Sequence, residues 1–361
     1  MLVAPDRVFW GAGSHGPGIR AGFSCTCPLL PAAVSSCAEE SGPSFAISAA
    51  MIKAMSQFPA GSPLLRIDLC VCTFRREAVC NLLASLGRMI LPPGLAVRVI
   101  VADNDTIPSA RNRVEAAFAA HGLDGIYLHA PDRNISIARN ACLDVSTAPL
   151  LAFIDDDETA RPDWLVRLLT SLDETGADVV FGRVSAIYPS SLPAWLPLAD
   201  LHSPEPPMRR GVIDGGYTCN VLMRRTAIGA CRFNPQFGRS GGEDTAFFAE
   251  LQARGVVMAY AADAVMEEVV TPQRASLRWL AVRAFRSGQT YGLVRLGRRH
   301  GRLRVSILSV VRTVVYLVKA LFSLSSAAGW RSALVRACLH GGILASAMGR
   351  PPITLYGAAH A

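Results

Sequence analysis

The chain has 361 residues, enough for one large domain with additions or for two modest domains, and enough to bury a sizeable core. Apolar residues make up 51% and charged residues 18%, which excludes a disordered or collagen-like chain and leans toward a protein that touches a membrane. The net charge of +8 is unevenly placed: residues 271–361 hold fourteen Lys or Arg and no Asp or Glu, so the part before them is net acidic.

Ten cysteines in this length do not make the disulfide framework of a small secreted domain, and no signal-peptide pattern is visible, so a reducing cytoplasm is expected. Neither Cys25 with Cys27 nor Cys70 with Cys72 has the two-residue spacer and matching second pair of a zinc site. Cys70 and Cys72 lie two apart in an apolar run and are expected to pack on one strand face.

Residues 1–64 are rich in Gly, Pro, Ser and Ala, show no sustained period and receive no fold; Met51 or Met55 is suspected as the true start. From Arg66 strands and helices alternate. Arg66–Thr73 reads as a buried strand, and Val79, Leu82, Leu83, Leu86, Met89 and Ile90 follow at helical spacing. A strand at 96–102, a helix at 110–121, a short strand at 125–129, a helix at 136–145 and a strand at 150–154 come next. Strand, helix, strand units of about thirty residues predict an α/β fold with a mostly parallel sheet and right-handed crossovers. Such sheets bind ligands beyond the carboxyl ends of their strands, where this chain is polar at 73–77, 103–105 and 155–158. The second half predicts a helix at 162–172, a strand at 178–186, a proline-rich loop at 189–207, an extended stretch near 216–223, a helix opening at Glu243 and a strand around 256–259.

Asp155, Asp156, Asp157 and Glu158 close an apolar strand, and adjacent carboxylates repel one another unless a cation or protons intervene. An EF-hand loop is excluded because its sixth position would be Ala160 rather than Gly. Two readings stay open on charge alone. One is a solvated acidic turn capping the next helix; the other is a site for Mg²⁺ or Mn²⁺, which needs only one or two carboxylates plus substrate phosphates. Gly241-Gly242-Glu243-Asp244 forms a second constellation before the apolar Phe247, Phe248 and Leu251. Carboxylates at a helix start are favoured by its dipole, and beside a bound phosphate complex one of them could act as general base.

With these residues on the page, the chain resembles the inverting glycosyltransferases of family 2, which have the GT-A nucleotide-sugar fold. The features that carry the likeness are CTFRRE at 72–77, VADND at 101–105, SIARN at 136–140, FIDDDE at 153–158 and GGED at 241–244, in order over about residues 66–265. Within the family it is similar to bacterial exopolysaccharide enzymes of the succinoglycan glucosyltransferase type. The resemblance implies that Thr73 and Glu77 lie beside the nucleoside and that Asp103 hydrogen-bonds the base, with Asp105 a weaker candidate. It implies that Asp155 lies near the ribose and the metal, that Asp157 binds the ion bridging the diphosphate, and that Asp156 supports them. Asp244 would be the catalytic base and Glu243 would bind the acceptor or orient the base. Arg139 would meet phosphate or form a salt bridge on the helix surface. The implied reaction is metal-dependent transfer of a hexose, most simply from a UDP-hexose, to a lipid-linked or oligosaccharide acceptor, with inversion. Processive members carry Gln-x-x-Arg-Trp after the base; here Gln273 and Arg278-Trp279 are separated by four intervening residues instead of two, which favours addition of single sugars, with Trp279 in the core. The competing readings are a nucleotidyltransferase, which would want a Gly-rich loop where Phe74-Arg75-Arg76 stands, and a catalytically silent membrane-bound scaffold.

Val305–Leu324 is twenty mostly apolar residues with Arg312 near the middle, where a charge costs roughly 2.5–3.5 kcal/mol on the insertion scale. Ser309, Arg312, Thr313, Tyr316, Lys319 and Ser323 fall along one helical stripe, which predicts a helix lying in the interface with its cationic face toward headgroups. Arg298, Arg299, Arg302 and Arg304 add attraction to anionic lipid. The expected organisation is a low-order extension at 1–64, a catalytic domain at 65–270 and a basic, amphipathic, helical membrane-associating region at 271–361, peripheral on the cytoplasmic face of a bacterial inner membrane. A nucleic-acid partner is excluded by the tail's apolar content and few aromatics.

Overall fold

The computed structural model describes residues 65–209, 211–296 and 301–353. The expectations for the extension at 1–64, including the start at Met51 or Met55 and the pair Cys25 and Cys27, fall outside these residues.

The first half alternates as expected: β1 (Leu65–Thr73), α1 (Val79–Leu86), β2 (Leu95–Asp103), α2 (Arg111–Ala120), β3 (Asp124–His129), α3 (Ile135–Val145) and β4 (Leu150–Asp155). β1, β2, β3 and β4 run parallel because a helix between each consecutive two returns the chain to the end of the sheet at which the strands start. After β4 the acidic run turns back on itself. Glu158–Ala160 forms β5, and α4 (Trp164–Thr175), β6 (Val179–Ile187) and the short α5 (Trp195–Ala199) follow. A hairpin of β7 (Met208–Arg209) and β8 (Val212–Ile213) leads to β9 (Asn220–Arg224), α6 (Arg225–Ile228) and α7 (Glu243–Ala253). The proline-rich stretch therefore holds a helical turn, and the extended stretch near 216–223 pairs only over β9.

β10 (Met258–Val269) is three times the length expected for it. It runs parallel to β6, with a bulge between Ala261 and Val265, and antiparallel to β5. The sheet order is β3-β2-β1-β4-β9-β6-β10-β5, mostly parallel, with β9 inserted antiparallel between β4 and β6. This is the α/β architecture with a mostly parallel central sheet that the sequence predicted.

Two apolar layers sandwich the sheet. On one face Ile67, Leu69, Val71 and Trp164 lie among the residues of α1 and α4; on the other, Cys70, Phe153, Phe247 and Phe248 pack with α3 and α7. Fully burying such a side chain stabilises by about 1.5–3 kcal/mol relative to exposure. Cys70 belongs to the second layer and Cys72 packs against it, so both thiols share one face as expected. Asp68, a carboxylate buried in β1, accepts five hydrogen bonds from Arg98, Ser146, Thr147 and Ala148, which is how a charge is tolerated there. The Trp164 indole N–H donates to Asn220 at 2.8 Å, and the Asn220 amide donates to the carbonyls of Arg183 and Ala264 beside the bulge.

Three long helices close the described chain: α8 (Leu277–Leu296), α9 (Arg302–Phe322) and α10 (Ala327–Ala347). α10 packs against both α8 and α9. A Cβ on Gly288 would come within 1.9 Å of the Leu339 carbonyl, and one on Gly342 equally close to that of Phe285, so α8 and α10 touch backbone to backbone. α9 is the one helix among the described residues long and apolar enough to cross a membrane. Its polar stripe does not face outward as expected. Ser309 is buried, the Tyr316 ring stacks on His340 of α10 at 5.5 Å, and Arg336 lies over Tyr316. Ser309 and Tyr316 of the stripe thus turn into the helix seam while Lys319 stays exposed, and the outward face carries Leu303, Ile307, Val311, Val314, Val315, Val318, Leu321 and Phe322.

Candidate active site

A cavity of about 490 Å³ opens beyond the carboxyl ends of β1, β2 and β4. It is lined by Thr73, Phe74 and Arg76 at the end of β1, Asn104 after β2, Arg133 and Ile135 after β3, and Asp155 and Asp156 at the end of β4. The lining continues with Gly241 to Thr245 at the start of α7, Glu268 near the end of β10, Arg283, Arg286, Thr290 and Tyr291 of α8, and Val335 and Leu339 of α10. The basic tail thus supplies a wall of this cavity as well as an outward apolar face.

The acidic run is neutralised by arginines from distant segments. Arg76 donates to Asp156 at 2.9 Å and pairs with Asp157 at 2.6 Å, and Arg274 pairs with the same Asp157 oxygen at 3.0 Å and also with Glu268. The Thr73 hydroxyl donates to Asp156 at 2.8 Å. Burial pushes the Asp156 carboxyl up to about 6 against the pull of Arg76. Glu158 points inward, 2% exposed, and accepts from the Asp155 backbone N–H at 3.2 Å. The four adjacent carboxylates therefore meet different surroundings: Glu158 is buried, Asp156 is buried and ion-paired, Asp157 is ion-paired, and Asp155 lines the cavity with 47% of its side chain open.

Arg139 is not on a helix surface. It is buried, ion-paired with Glu243, and 3.8 Å from Asp155. Burial opposes its charge, but Glu243 and Asp155 hold its pKa above the ordinary arginine value. This one guanidinium ties β4, α3 and α7 together at the cavity.

The positions of Glu243 and Asp244 follow from the two glycines before them. Gly241 and Gly242 have φ of 79° and 101°, in the left-handed region, and a Cβ on Gly242 would meet the Thr290 methyl at 1.7 Å. α7 begins there with Glu243 and Asp244 in its first turn, where the helix dipole favours negative charge. Asp244 lines the cavity and accepts from the Thr245 backbone N–H at 2.6 Å. Burial, reinforced by the neighbouring Glu243 carboxylate, raises Asp244 to about 7 against the pull of Arg139. One Glu243 oxygen, Oε2, is buried with no hydrogen-bond partner.

Of the expected site residues, Thr73, Arg139, Asp155, Asp156, Glu243 and Asp244 come together on this cavity, while Glu77, Asp103, Asp105 and Asp157 stand outside its lining. Glu77 is exposed on the turn before α1. Both Asp103 oxygens are engaged internally: one accepts from the Asp105 N–H at 3.0 Å, the other from the Ala110 N–H at 2.8 Å and the Tyr127 hydroxyl at 2.7 Å. Asp105 is buried and accepts from Arg75 at 2.8 Å, which holds its carboxyl down at about 2. Arg76, Arg133, Arg274 and Glu268 were not singled out by sequence; Arg76 stood inside a quoted motif, and the others carried no local signal. Trp279 is half-buried and stacks on His202 at 5.7 Å, consistent with a packing role.

Asp155, open to the cavity, and Asp157 beside it are the carboxylates that could hold a divalent ion. No group of three or more His, Cys, Asp or Glu among the described residues is placed to hold one unaided. That donor set fits Mg²⁺ or Mn²⁺, which completes its shell with water and substrate phosphates, and does not fit a closed all-protein cage.

Residues 68–231 match the family model "Glycosyl transferase family 2". The chain is 44% identical over 299 residues to the succinoglycan biosynthesis protein ExoM of Rhizobium meliloti, covering 81% of this chain and 96% of that one. It is 28% identical over 123 residues to a glucosyl-dolichyl phosphate glucuronosyltransferase of Haloferax volcanii, covering 33% of this chain and 37% of that one. Among solved structures, the mannosyltransferase PcManGT of Pyrobaculum calidifontis, in complex with GDP-Man and Mn²⁺, superposes with a TM-score of 0.52 at 14% identity, covering 80% of this chain and 92% of that one, and shares the GT-A fold. The chain belongs to the family 2 glycosyltransferases.

Proposed function

We propose that this glycosyltransferase moves a hexose from a nucleotide sugar, UDP-hexose in the first instance, to a lipid-linked saccharide acceptor in bacterial exopolysaccharide synthesis, with inversion and with Mg²⁺ or Mn²⁺. The observation that carries this reading is a single cavity lined by Thr73, Asp155 and Asp156 together with an Asp244 carboxylate of raised pKa. The relation to ExoM supports the exopolysaccharide setting.

In this mechanism the donor's nucleoside lies against the ends of β1 and β2, and its diphosphate lies toward Asp155 and Arg76. A divalent ion held by Asp155 and Asp157 would stabilise the charge that develops on the leaving diphosphate. Asp244 removes the proton from the acceptor hydroxyl as that oxygen bonds to the anomeric carbon, and the bond to the diphosphate oxygen breaks on the opposite face. Glu243, fixed by Arg139, orients the acceptor and keeps a negative charge beside Asp244. A pKa near 7 suits a base that must hold a proton briefly and release it at neutral pH.

The outward apolar face of α9 supports peripheral attachment to the cytoplasmic face of the membrane, because a contiguous patch of this kind is rarely left in water. The corrected orientation of the polar stripe places Arg312 toward α10, so α9 rests on lipid through its apolar side and the arginines at its start meet anionic headgroups.

The test is to follow UDP release from UDP-hexoses with Mn²⁺ and membrane lipid acceptors. Transfer with inverted linkage, abolished in Asp244→Asn while UDP binding persists, is expected. Release of pyrophosphate, or undiminished turnover in Asp244→Asn, would overturn the reading.

A further inference from the structure

Arg133 combines two costs at one place. Its backbone has φ of 47°, in the left-handed region that a long side chain rarely adopts, and its Nε–H is buried with no hydrogen-bond partner. The strain is imposed locally: the Arg133 N–H donates to the Asn104 carbonyl at 3.2 Å, and the Asn134 N–H donates to the Asn104 side chain at 3.0 Å. These bonds fold the segment after β3 back over the end of β2 and put the guanidinium on the cavity wall beside Asn104. Costs of this kind persist where a ligand contact offsets them.

We infer that Arg133 is a specificity-determining residue that donates hydrogen bonds to the nucleoside half of the donor. This rests on the nucleotide-sugar reading above and goes beyond it. The end of β2 lies two strand spacings from β4, about 10 Å at roughly 4.8 Å each, so a diphosphate seated at Asp155 presents its nucleoside, not its phosphates, to the Arg133 backbone. The carboxylate expected to read the base, Asp103, already accepts three hydrogen bonds within the fold. Arg133 and Asn104 are the polar side chains that line the cavity at this end. A guanidinium offers paired donors, which suit a base or ribose rich in acceptor oxygens.

The test is calorimetric titration of the full-length protein with UDP and, separately, with pyrophosphate, both with Mn²⁺. Arg133→Ala and Arg133→Lys are each expected to weaken UDP roughly ten- to hundredfold, the loss of a charge-assisted hydrogen bond, and to leave pyrophosphate binding unchanged. Arg133→Gly is expected to lose UDP in the same way while melting no lower than wild type, because glycine accepts the positive φ. UDP affinity within twofold of wild type in Arg133→Ala, or an equal loss of pyrophosphate binding, would overturn the assignment. A wild-type protein that binds pyrophosphate but not UDP would overturn the donor reading itself and this assignment with it.

Discussion

Replacing Arg139 with methionine tests whether the cavity is held together by a buried ion pair. Arg139 and Glu243 have side chains only 9% and 7% exposed, so neither charge can turn to water when the other is removed. Breaking such a pair from one side costs about 3–5 kcal/mol, because the remaining charge is left buried and unmatched. For a domain of this size each kcal/mol moves the melting temperature by roughly 2–4 °C, so Arg139→Met is expected to melt about 6–20 °C below wild type. The double variant Arg139→Met with Glu243→Leu removes both charges and is expected to recover at least half of that loss, as matched apolar replacements of buried pairs do. Scanning calorimetry of the three variants reads this directly. A single variant within about 1 kcal/mol of wild type, the range of an exposed pair, would refute the argument, and so would a double variant no better than the single.

A base raised to about 7 must be charged to act, so kcat/KM is expected to fall as pH drops through about 7, approaching tenfold per unit below it, and to level off above it. Glu268 is also raised to about 7, by burial and by Asp157, so the same limb persisting in Glu268→Gln would assign it to Asp244, and its loss there would remove that assignment. With Asp157 as a metal ligand, as proposed, Arg274 and the ion would compete for one of its oxygens, so Arg274→Ala is expected to bind Mn²⁺ at least about fivefold more tightly without donor, measured by titration; weaker binding would mean that Arg274 presents the carboxylate to the ion instead. Val311→Asp with Val315→Asp is expected to abolish flotation of the protein with anionic vesicles while leaving its melting temperature unchanged, and undiminished flotation would remove α9 from the lipid contact.

The strand and helix alternation from β1 to β4 was legible because each element there buries one clear face: continuous apolar runs for parallel strands and helical spacing for α1. The acidic run and the two glycines were legible for a related reason, since they interrupt those patterns at strand and helix ends. β10 was read too short. Its first half is broken by Asp263 and the bulge, and its last residues are the paired Glu267 and Glu268, which carry no strand signal on their own. The tail was legible as helical, but the bounds of α8 and α10 and their place on the cavity were not, because each divides its surface between the cavity, a neighbouring helix and solvent, so no single apolar stripe forms. The repulsion within the acidic run correctly called for positive charge nearby. The sequence could not say that Arg76 and Arg274 supply part of it, because they lie 80 and 117 residues away along the chain.

The position of α10 joins two properties that the sequence suggested separately. One side of it gives Val335 and Leu339 to the cavity, and another receives the polar stripe of α9 through His340 and Arg336. The outward face of α9 is therefore separated from the cavity by two helix diameters, α10 and α9 itself, roughly 20 Å. Removing the tail to test membrane binding would also strip the cavity of Arg283, Arg286 and Thr290 on α8, and Thr290 helps keep Gly241 in place through a 3.2 Å bond to its carbonyl. A truncated enzyme that loses activity would say nothing about lipid. Only substitutions confined to the outward face of α9 separate attachment from catalysis, because those side chains are exposed and line no part of the cavity.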